Sequence, residues 1–186
     1  MHSYQNSKSV TTNTFNIGET LSEIETFKTE YKNLIAHLND DQFNTRPFSG
    51  SWTPGQLTQH LIKSASSLAR ALSKPGQEAE RDPLEERAGL EKLFLDFSSK
   101  MKSPEFITPD DKNFTKADLM IQLDEAYQKV ETNAFKTNLT EFVSGLPLGE
   151  LTKVEAVYFV SYHTQRHLHQ LKKMIQSLLP STDQRS

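Results

Sequence analysis

The residues best suited to chemistry lie near the C-terminus, where His163 and His167 stand four positions apart in a segment that predicts one uninterrupted helix. Residues at this spacing lie about 40° apart around a helix axis and about 6 Å apart along it, so both imidazoles can reach one point. Imidazole is a common ligand of transition metals. The pair therefore suggests a metal site, although two histidines on a surface helix would show the same spacing.

Two further polar residues, Arg166 and Gln170, occupy the same side of this helix, each three positions after one of the histidines. A polar stripe is costly on a helix that otherwise supplies core residues, and a divalent cation would help to satisfy it. Arg166 and Gln170 could orient an anionic substrate or hold a ligand histidine in one tautomer. For Arg166 the alternative is a surface ion pair with Glu155 or Asp124.

A third ligand would have to come from another helix, and His60 is the candidate. It follows Leu57 by three positions in an apolar setting, which places it on or beside the buried face of its helix. The alternative is a hydrogen-bonded core histidine. His169 is excluded as a ligand because it lies about 200° from His167 around the helix axis. His37 falls in the last turn of the first helix, where a cation interacts favourably with the helix dipole.

The composition limits the classes of function. The chain has no cysteine, so a transition metal would be held by His, Asp, Glu or water, and the lack of disulfides fits a reducing cytoplasm. The net charge of -3, without a cluster of lysine and arginine, argues against nucleic acid and against an anionic membrane as partners. No apolar segment approaches the roughly 18 residues that span a bilayer. We therefore expect a cytoplasmic protein that acts on a small molecule.

Helical periodicity, interrupted by proline and glycine, predicts an all-α fold without strands. The 186 residues suffice for one helical domain at 17–180, between flexible tails at 1–16 and 181–186. The expected connections include loops at 40–51 and 105–114. The predicted helices cover 17–39, 54–74, 82–101, 115–135 and 153–179.

Two of these helices begin at capping boxes, in which Thr53 pairs with Gln56 and Thr152 with Glu155. Five helices joined by loops of moderate length favour an up-and-down four-helix bundle, with 82–101 as an accessory helix. Bundles commonly place metal sites between facing helices. This arrangement would let His60 meet the histidine pair.

The segment SWTPGQLTQHL at 51–61, together with HTQRHLHQ at 163–170, resembles the DinB superfamily, which includes YfiT-like metal-dependent hydrolases. The resemblance implies a four-helix bundle of the DinB/YfiT type and often a homodimer. It also implies a metal site whose ligands are His60, His163 and His167. Zinc or nickel is the expected metal, although imidazole also suits iron and copper.

The resemblance leaves the reaction open, because members of the superfamily include hydrolases and thiol-dependent S-transferases that use low-molecular-weight thiols. Some branches place an arginine directly after the second histidine of the pair, where this chain has Leu168 and instead carries Arg166 before it. Three imidazoles leave a metal at least one open position, which suits hydrolysis or activation of an external thiol. The alternative is a non-catalytic stress-response or ligand-binding bundle with a structural or vestigial site. An open cleft beside the histidines would favour catalysis, and a sealed site would favour the structural role.

Overall fold

The computed structural model describes residues 15–179, which form six α-helices and one short 3-10 turn at Glu105–Ile107. The α-helices are α1 (Ile17–Ala36), α2 (Asp40–Phe43), α3 (Pro54–Leu72), α4 (Arg87–Leu95), α5 (Lys116–Ala134) and α6 (Lys153–Leu178). The predicted flexible tails at 1–16 and 181–186 lie outside the described residues, except for Phe15 and Asn16. The Asn16 side chain caps α1 by accepting a hydrogen bond from the Glu19 backbone N–H at 3.4 Å.

The four long helices α1, α3, α5 and α6 form the predicted four-helix bundle, and α4 is the accessory helix packed on α6. α3 packs along α5, α1 packs along α6, and α3 also contacts α6. Leu57, Leu61, Val157 and Leu171 are almost fully buried in the core between them. Each such side chain contributes about 1.5–3 kcal/mol by its removal from water. The all-α prediction is confirmed, and none of the described helices combines the length and apolarity that a membrane crossing requires.

Both predicted capping boxes are present, and they fix where α3 and α6 begin. The Thr53 side chain accepts a hydrogen bond from the Gln56 N–H at 3.0 Å, and the Gln56 side chain accepts one from the Thr53 N–H at 3.0 Å. Thr152 and Glu155 make the same pair of bonds at 3.3 and 2.8 Å. Each box satisfies two backbone donors that a helix start otherwise leaves unpaired.

The Glu155 carboxylate also fastens the preceding connection to the start of α6. It accepts two hydrogen bonds from the Arg81 guanidinium at 2.8 and 2.6 Å and one from the Glu86 N–H at 2.6 Å. Burial raises the pKa of the Glu155 carboxyl, but the hydrogen bonds from Arg81, Thr152 and Glu86 outweigh burial and hold that pKa below its ordinary value. Glu155 is therefore charged and fully partnered in the fold.

The first helix is shorter than predicted, and a second helix lies inside the expected 40–51 loop. α1 ends at Ala36, and α2 begins after Asn39. Asn39 and Gln42 form a third capping box, with bonds of 2.8 and 3.0 Å between each side chain and the other residue's N–H. The Asn-x-x-Gln signature is visible in the sequence, and it marks Asn39 as the start of a new helix and not as the last residue of α1.

The accessory helix is also shorter than the predicted 82–101. It spans Arg87–Leu95 because its ends are held in other conformations. At the start, the Glu86 N–H is bonded to Glu155. At the end, the Asp96 carboxylate accepts a hydrogen bond from the Ser98 N–H at 3.1 Å, which is a local turn that competes with helix.

The remaining connections agree with the prediction in outline. Thr115 occupies the N-cap of α5, although its side chain makes no capping hydrogen bond. Gly145 and Gly149 have positive φ angles of 82° and 84° in the predicted turn. Residues 15–179 contain no strand, only the isolated bridges Glu78–Glu141 and Phe142–Thr152. The 105–114 loop contains the single turn at Glu105–Ile107.

Candidate metal centre

The three histidines predicted as ligands come together between α3 and α6. His163 Nε2 lies 3.2 Å from His60 Nε2 and 3.0 Å from His167 Nε2. All three side chains are buried, and their candidate ligand atoms lie within 4.8 Å of one another. Two nitrogens bound to one tetrahedral zinc at 2.0–2.1 Å would be roughly 3.3 Å apart. The observed separations are close to that value.

Two of the three histidines have their tautomer fixed by a hydrogen bond on the other ring nitrogen. His60 Nδ1 donates to the Ile107 carbonyl oxygen at 2.9 Å, and His167 Nδ1 donates to Gln170 Oε1 at 2.9 Å. A neutral imidazole that donates from Nδ1 carries a lone pair on Nε2. Both of these lone pairs face His163 Nε2.

The donor set therefore fits a cation. His163 Nε2 can donate at most one proton, so it can satisfy only one of the two lone pairs directed at it. A divalent transition metal accepts all three lone pairs at once, and it binds imidazole in the neutral form. His60, His163 and His167 are the residues that would hold such a metal.

The surroundings keep the three imidazoles neutral. Burial lowers the pKa of His60, and it lowers the pKa of His167 to about 3. Burial, together with the neighbouring His167 and His60 and with Arg166, lowers the pKa of His163 well below its ordinary value. At neutral pH none of the three rings therefore carries a second proton, and each keeps one nitrogen with a free lone pair.

Aromatic side chains complete the inner surface around the histidines. The Trp52 ring lies 4.9 Å from the His60 ring, between centroids, just before the α3 cap. Phe159 lies 5.1 Å from the His163 ring, and Phe94 lies 6.0 Å from it. This apolar surface excludes water from one side of the cluster and strengthens electrostatic interactions there.

A cavity of about 830 Å³ opens on the cluster and is lined by all three histidines. Its volume falls within the range of small-molecule sites in proteins. One side is formed by residues 96–107, the wall segment, which follows α4 and includes the Glu105–Ile107 turn. The site is open to a small molecule and is not sealed by core side chains.

Arg166 holds the wall segment and does not make the ion pair considered from the sequence. Its guanidinium donates to the carbonyl oxygens of Phe94 at 3.2 Å and Asp96 at 2.9 Å, and also to that of Ser99. The two suggested partners are engaged elsewhere: Glu155 pairs with Arg81, and Asp124 pairs with Lys28 and Lys32. The surface-pair alternative for Arg166 is therefore wrong.

The two other histidines within residues 15–179 lie apart from the cluster. The His169 ring stacks on Phe97 at 4.2 Å with an interplanar angle of 11°. His37 is the C-cap of α1, where its Nδ1 donates to the Asn33 carbonyl oxygen at 2.7 Å. Neither belongs to the three-histidine group.

The sequence did not identify the wall segment as part of the site. The predicted helix 82–101 includes Phe97 and Met101, but these side chains line the cavity and are 39% and 42% exposed. One available signal was the Asp-x-Ser pattern at Asp96, which is typical of a turn. The Ile107 carbonyl that holds His60 had no such signal, because every residue carries a backbone carbonyl.

Comparisons with known proteins support the fold and place the chain in a family. The DinB superfamily model matches residues 23–171. The uncharacterized protein YuaE of Bacillus subtilis (strain 168) is 24% identical over 150 residues, which cover 76% of this chain and 88% of YuaE.

Two solved structures have a similar fold. TT2238, a four-helix bundle protein, has a TM-score of 0.58 and 18% identity, covering 85% of this chain and 99% of TT2238. YfiT from Bacillus subtilis, described as a probable metal-dependent hydrolase with an unusual four-helix bundle topology, has a TM-score of 0.58 and 15% identity, covering 93% of this chain and 92% of YfiT. The two likenesses concern the fold, whereas the family model covers most of the sequence and both histidine motifs. This chain belongs to the DinB superfamily.

Proposed function

We propose that this protein is a metal-dependent hydrolase of a small molecule, with His60, His163 and His167 as the metal ligands. The observation that carries the proposal is the convergence of three buried, neutral imidazoles, through Nε2, on one side of a cavity of about 830 Å³. The description of YfiT as a probable metal-dependent hydrolase is consistent with it.

Each neighbouring residue has a distinct part in this proposal. Gln170 orients His167, and the Ile107 carbonyl orients His60, so that both Nε2 lone pairs point to one place. Arg166 keeps the wall segment in position and is a positioning residue. Lewis acidity for the hydrolysis of a polarised bond is the chemistry that a divalent metal supplies when bound there.

The open cavity favours catalysis over the non-catalytic alternative. A structural metal site is normally closed by its protein ligands, whereas three histidines leave room for a reactant. Zinc and nickel remain the expected metals, and elemental analysis would distinguish them from iron and copper, which imidazole also binds. A homodimer, implied by the family resemblance, stays a prediction that light scattering on the purified protein would test. The cytoplasmic location, inferred from the composition, also stays a prediction.

Elemental analysis of protein purified without an affinity tag tests the site. We expect near-stoichiometric transition metal in the native protein and in His169→Ala, the matched control from the same helix. The double variant His163→Ala, His167→Ala should contain almost none. Metal-free native protein would contradict the proposal.

Activity assays then separate the reactions. The metal-loaded protein should hydrolyse activated esters or amides, and the activity should disappear in His60→Ala while His37→Ala, remote from the cavity, retains it. Turnover that requires an added low-molecular-weight thiol would instead assign the protein as an S-transferase. Bound metal without turnover under either condition would favour the non-catalytic bundle.

A further inference from the structure

The charge of the cavity differs from that of the whole chain. The protein carries a net charge of -3, yet among the described residues that line the cavity there is no aspartate or glutamate. Four lining residues are cationic: Lys100, Lys102, Arg166 and Lys173. The field inside the cavity therefore favours anions even before any metal is counted.

The three lysines are available to a ligand. Lys100, Lys102 and Lys173 are exposed, so they lie at the mouth of the cavity while the histidines lie at its inner end. None of the nine ion pairs found within residues 15–179 involves any of these three lysines. Two come from the wall segment and one from α6, so they approach the mouth from two elements.

The lining also carries many large apolar side chains, next to six serines, four histidines and Gln170. Eight large hydrophobic side chains are exposed among the described residues, and five of them line this cavity: Phe48, Leu93, Phe97, Met101 and Phe106. Exposed apolar groups concentrated in this way mark a binding surface, because each of them could gain free energy by contact with a ligand. Trp52, Phe94 and Phe159 continue the apolar lining inward to the histidines.

We propose that the cavity takes an amphipathic organic acid, whose apolar body lies along the aromatic lining and whose acidic group reaches Lys100, Lys102 and Lys173. The assignment of this acid as the substrate rests on the proposed function. The preference for an anion belongs to the cavity and is independent of the metal. A neutral apolar molecule gains only the hydrophobic contacts, and a cationic one is repelled.

Trp52 provides a direct readout, since it is the only tryptophan of the chain and lies in the cavity. We would titrate the protein with three probes that share an apolar chain and differ in charge: decanoate, decanol and decyltrimethylammonium. The Trp52 fluorescence should respond to decanoate with a dissociation constant about tenfold lower than that for decanol. Decyltrimethylammonium should bind more weakly than decanol.

The lysines are tested by a triple variant, Lys100→Gln, Lys102→Gln, Lys173→Gln. It should bind decanoate about tenfold more weakly and decanol unchanged, and the unchanged decanol binding shows that the variant is folded. Lys129→Gln is the matched control, because Lys129 is exposed on α5 and does not line the cavity. Raised salt should reduce the difference between decanoate and decanol.

The same titrations in the His163→Ala, His167→Ala variant separate this proposal from the metal site. A decanoate preference that persists there supports the proposal, whatever the metal content of the native protein. A preference that is lost with the histidines but survives in the triple lysine variant shows that the acid binds the metal, and overturns it. Equal binding of all three probes, or no response of Trp52 to any of them, also overturns it. Sedimentation with phosphatidylglycerol vesicles without binding of decanoate would assign the surface to a membrane instead.

Discussion

His60 and His167 each use Nδ1 to donate to a protein oxygen, and this determines what their other ring nitrogen can do. The acceptors are a backbone carbonyl and a side-chain amide oxygen, at 2.9 Å in both cases. Burial lowers the pKa of both rings and neither acceptor is charged, so the imidazoles remain neutral and both Nε2 atoms keep their lone pairs. The bonds thus prepare the ligands before any metal arrives.

Gln170 is the residue at which this preparation can be tested. In Gln170→Ala the His167 ring loses its acceptor and can rotate or change tautomer, so we expect metal affinity to fall about 10- to 100-fold. Full occupancy should return at high metal concentration, because all three ligands remain. Competition with a chromogenic chelator measures the affinity. Gln176→Ala, at an exposed position of the same helix, is the control, and an equal effect in both variants would refute the role of Gln170.

At this scale the sequence predicted the three-histidine cluster better than the groups that orient its rings. His163, His167 and Gln170 lie on one face of α6, because residues three or four positions apart are neighbours on a helix. His60 could be added because its helix had a recognisable start at Thr53. The acceptor at Ile107 could not be predicted, because backbone carbonyls carry no information in the sequence.

At the scale of elements, α4 packs on α6 through a buried apolar face, with the Phe94 ring against that of Phe159, and polar contacts fasten both of its ends. Arg166 donates to three carbonyl groups between Phe94 and Ser99, at and just beyond the end of α4. Tyr162, also on α6, accepts a hydrogen bond from the Arg87 side chain at 3.2 Å at the other end of α4. These contacts set the distance between the accessory helix and the bundle, and therefore the width of the cavity.

Removal of the Arg166 guanidinium should release the wall segment while leaving the metal ligands in place. For Arg166→Met we expect a loss of about 2–3 kcal/mol in the free energy of unfolding, because three carbonyl groups lose a charged donor. Hydrogen exchange of the amides in residues 96–103 should accelerate, and the metal content should stay unchanged. Arg70→Met, at an exposed position of α3, should change neither. Unaltered exchange in the wall segment of Arg166→Met would contradict this role.

The elements were predictable where their ends carried a side-chain signature. Thr53 and Thr152 marked the starts of α3 and α6 correctly, and Asn39 would have marked α2. The predicted accessory helix is too long because apolar periodicity continues through Phe97 and Met101, past the point where Asp96 turns the chain. Its real limits depend on Glu155 and Arg166, which are distant in sequence.

For the whole molecule, the fully buried Glu155 connects three parts of the chain: Arg81 in the connection after α3, Glu86 at the start of α4, and its own helix. Its carboxylate accepts hydrogen bonds from all of them. Loss of its charge should therefore affect global stability and not one element alone.

This carboxylate gives stability a defined dependence on pH. Its pKa is lower in the fold than the unfolded value of about 4.3, so its contribution is present above that value and is lost as pH falls toward the folded pKa. Glu155→Gln should be about 2 kcal/mol less stable than the native protein at about pH 7, and the difference should shrink in acid. Urea unfolding at a series of pH values measures it. Glu125→Gln, exposed on α5, is the control, and a difference that grew in acid would contradict the assignment.

His60 and Arg166 hold the wall segment by its backbone carbonyls and not by its side chains. Since every amino acid supplies a carbonyl, mutations at Lys100, Met101, Lys102 or Phe106 can change what the cavity recognises without loosening either attachment. The fold thus separates the histidines and their supports from the side chains at the mouth of the cavity. Under the proposed function, substrate preference would change one side chain at a time while the metal ligands stay as they are.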